Sequence, residues 1–122
     1  MPLRVPLARA DDGACVSSGI DPATCDQGYL TTLARAGIHP VPENGIAVGH
    51  RFADTLTKDP TMHGITYVVN KVINDSAAGR CNPAGGPCHG PMTITMDQAV
   101  AIVHAAVHYY GPPGLEETLN AL

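Results

Sequence analysis

Two stretches of the chain hold residue types that bind metals or haem. The first is CNPAGGPCHG, Cys81 to Gly90, with Cys81, Cys88 and His89 in one ten-residue run. Structural zinc motifs space paired cysteines two to four residues apart, whereas six residues separate Cys81 from Cys88. Covalent haem attachment needs C-x-x-C-H, and Gly85 stands where the first cysteine belongs. Without a metal, the two cysteines would close a short loop of turn-forming Pro and Gly. The second stretch is the pair His104 and His108, spaced i, i+4, followed by Tyr109. Such a pair can chelate a metal ion or contact haem. A metalloprotease helix also needs Glu after its first histidine; Ala105 stands there and offers no general base.

Other chemistry is sparse. Ser17, Ser18 and Ser76 lie outside any G-x-S-x-G elbow. The carboxylates form no recognisable catalytic pair, and no Gly-rich run follows a strand to cradle phosphate. His39, His50 and His63 are scattered, and His50 falls near the edge of a buried helical stripe. No catalytic residue and no metal centre is therefore assigned. His104, His108 and Tyr109 are the candidate ligand-binding residues, for haem or a metal ion. The plainer reading of the two histidines is solvated side chains near a helix C-terminus, where their protonated forms complement the dipole.

Four cysteines in a short exported chain usually make two disulfides. Cys15, Cys25, Cys81 and Cys88 allow three pairings. Loop entropy assigns about 2.8 and 2.5 kcal/mol to the local pairs 15–25 and 81–88, and about 4.4 kcal/mol to a long link such as 15–81. Energy does not choose among them; chain proximity favours the local set. Export itself is expected from Ala8-Arg9-Ala10, a small-x-small cleavage pattern that makes Met1–Ala10 the remnant of a signal peptide. Cleavage there would remove Arg4 and Arg9, leaving five basic residues against 11 acids and a net charge of −6, from −4 for the whole chain. An acidic chain without a basic stripe is a poor nucleic-acid ligand. No apolar run approaches the ~20 residues of a membrane span. The expected location is the medium or the cell envelope, and any partner is a protein or envelope component.

The elements that would position these residues read as helices. With 122 residues, no Trp and one Phe, the core must come from Ala, Val, Ile and Leu. Residues 11–24 have no period and read as a flexible arm. From Cys25, Leu30, Leu33, Ala34 and Ile38 share one helical face, with Thr24 as N-cap and Asp26 in the first turn; Gly37 and Pro40 end the helix. Pro42 and Glu43 open a second helix whose stripe is Ile46, Gly49, Ala53 and Leu56, with Phe52 beside it. Gly49 would let a neighbour approach closely. Met62, Ile65, Val69, Val72 and Ile73 make a third helix, despite a Thr, Val and Ile content that suits strands. Residues 76–94 read as a long Gly/Pro/Cys loop. Thr95-Met96-Asp97-Gln98 is a capping box. It opens the clearest helix, with Ala99, Ile102, Val103, Ala106, Val107 and Tyr110 inward and His104, His108, Asp97 and Ala101 outward. Gly111-Pro112-Pro113-Gly114 ends it, before a last short helix or frayed tail. The expectation is one all-α domain of four to five helices over residues 25–122.

From Tyr29 to Pro112 the chain resembles small exported mycobacterial proteins with the domain of unknown function numbered 732. The resemblance rests on YLTTLARAGI, then GIAVGHRFADTL, then MTITMDQAVAIVHAAVHYYGPP, in that order. It implies a small helical fold, a signal peptide and no established activity, so it supplies no catalytic residues. It also implies a bridge between a cysteine in the second helix and one just after the last helix. Ala53 and Gly111 occupy those places here, with Phe52 placed to fill the gap, and the loop 77–91 looks like an addition. The functional expectation is a non-enzymatic interaction module; the alternative is a carrier of haem or a metal ion.

Overall fold

A computed structural model describes residues 13–78 and 93–122. The expected signal-peptide remnant, Cys81, Cys88 and His89 lie outside the described residues. The described chain is all-α: α1 (Ala14–Ser17), α2 (Pro22–Arg35), α3 (Pro42–Lys58), α4 (Met62–Ala78), α5 (Met96–Tyr110) and α6 (Leu115–Asn120). Among the described residues there is no strand.

The helix boundaries follow from local chemistry. Asp21, not Thr24, caps α2: its carboxylate accepts from the backbone N–H of Ala23 and Thr24 at 3.1 and 3.3 Å. Pro22 takes the first helical position, where its missing N–H costs nothing. The supposed arm thus contains α1 and the first turn of α2. Gly37, at φ +81°, closes α2 in a Schellman motif. The Ile38 N–H reaches the Leu33 carbonyl at 2.9 Å, and the Gly37 N–H reaches that of Ala34 at 3.0 Å. Leu33 and Ile38, the positions at which an apolar pair commonly accompanies the motif, are both buried in the core. Thr95 and Gln98 form the expected capping box at 3.1 and 3.0 Å. The third segment is helical as its spacing indicates, and α4 runs to Ala78, into residues expected to be loop.

α5 is the centre of the fold and packs against all five other helices. All six residues assigned to its apolar face are buried, and so is Ala105. Periodicity alone gives an amphipathic helix one inner face; a helix surrounded by neighbours buries more. In α2 the inner positions are Cys25, Tyr29 and Leu33, while Ala34 is exposed, a correction to the stripe read from the sequence. α3 contributes Gly49, Phe52, Ala53 and Leu56 as expected.

At the α2–α3–α5 junction two tyrosines replace aliphatic core. The rings of Tyr29 and Tyr110 lie 4.9 Å apart, and the His50 ring lies 3.8 Å from Tyr110. Gly49 makes this possible: a Cβ there would sit 2.7 Å from Tyr29 Cζ and 2.9 Å from Tyr110 Cε2. Tyr110 donates to Asp26 Oδ1 at 2.6 Å. Burial first, and then this hydrogen bond, raises the Tyr110 phenol above its ordinary value; burial alone does so for Tyr29.

α1 is tied to this junction from the other side. Cys15 and Cys25 form a disulfide with Cα atoms 6.1 Å apart, the local pairing favoured by proximity. The Ala14 N–H donates to the Gly111 carbonyl at 2.7 Å, and Gly13 lies directly on the Tyr110 backbone.

Candidate functional site

The candidate residues on α5 part company at its C-terminal end. Tyr109 turns toward α2, where its ring covers Gly28; a Cβ there would lie 2.6 Å from Tyr109 Cε1. The His108 ring meets Tyr109 edge-on at 4.8 Å between centroids. Its Nδ1 lies 3.1 Å from Glu116 Oε1 and 3.3 Å from Oε2. His104, one turn earlier, is exposed and lines a groove between α4, α5 and α6. The three residues therefore do not converge on one ligand position. His108 is held by a carboxylate, Tyr109 is spent on helix packing, and His104 stands at a groove edge.

The groove encloses about 90 Å³. α4 supplies Ile65 and Val69, and α5 supplies Val100, Val103 and Val107. α6 closes the third side with Leu119, and Glu116, Asn120 and His104 form the polar margin. The position of α6 depends on the turn before it. Gly114, at φ +94°, adopts a left-handed conformation open to glycine, and the Leu115 N–H bonds the Pro112 carbonyl at 3.1 Å. Leu115 is then buried against the end of α5 beside Gly111.

Val100 and Met96, one turn apart on α5, are 39% and 56% exposed, so an apolar stripe runs outward from the groove. α5 and α6 carry Asp97, Glu116 and Glu117, and no lysine or arginine. Lys71 of α4 is paired with Asp75 at 3.1 Å.

The groove holds no serine, threonine or cysteine nucleophile. Among the described residues no group of three or more His, Cys, Asp or Glu is placed to hold a metal ion. The remaining histidines are dispersed. His39 is exposed, His63 pairs with Asp59 at 3.0 Å, and His50 stacks on Tyr110. The His63 and Thr61 hydrogen bonds hold the Asp59 carboxyl below its ordinary range. No described helix is long and apolar enough to cross a membrane.

The sequence pointed to His104 but not to Val100, Leu119 or Glu116. One signal was present: Met96 and Val100 interrupt the polar side of α5 at i, i+4 before His104. The contribution of α6 had none, because its docking depends on a glycine turn and on the buried Leu115. No family model, curated protein or solved structure matches the chain.

Proposed function

We propose that this is an exported, non-enzymatic interaction module of the cell envelope or medium, and that the α4–α5–α6 groove is its contact surface. The observation that carries the reading is the apolar groove itself, continued outward by exposed Val100 and Met96. Isolated exposed apolar residues need no explanation, but a contiguous set with a polar margin marks binding surfaces. The Cys15–Cys25 disulfide supports the export half, since such bonds persist in oxidising compartments. The resemblance of Tyr29–Pro112 to exported proteins of the domain numbered 732 supports it further. The cavity, at about 90 Å³, is well below the ~300–1,000 Å³ of pockets that enclose drug-sized ligands, so it favours a side chain over haem.

The test is made in the cell that produces the protein. A photo-crosslinking residue in place of Val100 should give a discrete adduct in the envelope or medium fraction. The same residue in place of exposed Glu43, on α3, should give none. Protein confined to the cytosol, or no adduct from position 100, overturns the proposal. Titration with haem should develop no saturable Soret band; a band lost in His104→Ala/His108→Ala would favour a carrier instead.

A further inference from the structure

We propose that the groove seats an aliphatic side chain from a basic, amphipathic segment of a partner protein, with a lysine or arginine of that segment meeting Glu116. This rests on the reading of the groove as a contact surface and specifies what fills it. The floor is built from branched aliphatic side chains, Ile65, Val69, Val103 and Leu119 among them, and the space suits one aliphatic anchor. Anchors spaced along one face of a helix are the usual way such grooves are read.

The sign of the partner's charge follows from the rim. Glu116 is the carboxylate among the residues that line the groove, and none of them is lysine or arginine. Asp97 and Glu117 stand on the same two helices, α5 and α6, while Lys71 on α4 is paired with Asp75. Glu116 is half-exposed, and its present partner His108 is more exposed still, with side chains 39% and 57% accessible. A guanidinium or ammonium can therefore join or replace the imidazole without opening the fold. An acidic rim disfavours an anionic lipid surface and an acidic peptide alike, by like-charge repulsion. A second copy of this chain also offers exposed cations, Arg35 on α2 and Arg51 on α3, and the sedimentation arm below separates it from a partner segment.

The experiment uses two synthetic helical peptides of about 18 residues. Both carry leucines at i, i+3 and i+7; one fills the other positions with lysine, the other with glutamate. Isotope-labelled protein is titrated with each and followed by NMR. The lysine peptide should shift resonances of Val69, Val100, Val103 and Leu119, more tightly at low salt. Val100→Glu should weaken it about ten-fold or more. Glu116→Gln should weaken it about two- to five-fold, with the helical circular dichroism unchanged.

Four results overturn the proposal. If the glutamate peptide maps to the groove as tightly, the charge assignment falls while the contact-surface reading stands. If neither peptide shifts groove resonances, the aliphatic anchor falls, and the crosslink from position 100 separately decides whether the groove is used at all. If vesicles of anionic phospholipid bind and Val100→Glu abolishes this, the occupant is a membrane. If sedimentation shows self-association that Val100→Glu abolishes, the occupant is a second copy.

Discussion

Tyr110 donates its phenolic proton to Asp26 across 2.6 Å, joining residues 84 apart in sequence. This bond pins the C-terminal end of α5 to the second turn of α2, next to the disulfide at Cys25. The neighbouring Tyr29 hydroxyl is equally deep, yet none of the described residues offers it a hydrogen bond. The two phenols should therefore respond oppositely to removal. Tyr110→Phe should cost about 1–2 kcal/mol, since it leaves a partly buried carboxylate unpaired. Tyr29→Phe should be neutral or slightly stabilising, because it deletes an unsatisfied buried group. Urea unfolding of both variants checks the contrast, and equal losses would contradict it.

Alkali should unfold the domain through the same pair. Both phenols are raised above the ordinary value of 10.0. A group with a raised folded pKa contributes stability that is complete below its unfolded pKa and is lost as pH climbs toward the folded one. Stability should therefore be insensitive to these tyrosines up to about pH 10 and decline above it. Tyrosinate absorbance followed together with far-ultraviolet circular dichroism should show the last two phenols ionising only as helix is lost.

Gly49→Ala should destabilise the protein by about 1–3 kcal/mol, the usual cost of overpacking. The new methyl would meet both tyrosine rings, Tyr29 Cζ at 2.7 Å and Tyr110 Cε2 at 2.9 Å. An unchanged thermal midpoint would mean that the rings retreat at no cost. Gly19→Ala is a useful control: its positive φ adds strain, but nothing lies near the added methyl.

Cleavage before Asp21 under non-reducing conditions should leave the Cys15 and Cys25 peptides joined, and reduction should separate them. Replacing both cysteines with serine should cost about 2–3 kcal/mol. Amide exchange should rise first in α1 and at the Ala14 N–H, which loses its hold on the Gly111 carbonyl. Uniform loosening would instead mean that the bridge acts on the whole unfolded chain.

Glu116→Gln should change stability by less than about 1 kcal/mol, because an exposed ion pair is worth little. Its purpose on the surface is separable from folding. A large stability loss would assign Glu116 to the docking of α6 rather than to the rim of the groove.

Much of the architecture was legible because it is local. A capping box, a Pro at the first helical position and a Gly past the last are read within four or five residues. The apolar spacing of α4 and α5 repeats within a turn. The misreadings came where two local signals competed or where a neighbour decided. Thr24 was a fair cap, but Asp21 followed by Pro22 is a better one. Ala34 fits the spacing of α2 but faces outward, because Tyr29 takes the inner position.

By itself, then, the sequence determined an all-α domain, its principal helix boundaries, the inward face of α5 and the outward placement of His104 and His108. These depend on periodicity and on hydrogen bonds between near neighbours. Tertiary structure alone decided that Tyr109 packs on Gly28, that His108 is held by Glu116, and that α6 closes a groove beside His104. It also placed Gln98 of the capping box on the Ala36 carbonyl, 3.2 Å away and 62 residues distant. Each of these is a contact between segments that approach only once the core around α5 has formed, and no spacing along the chain encodes which segment arrives.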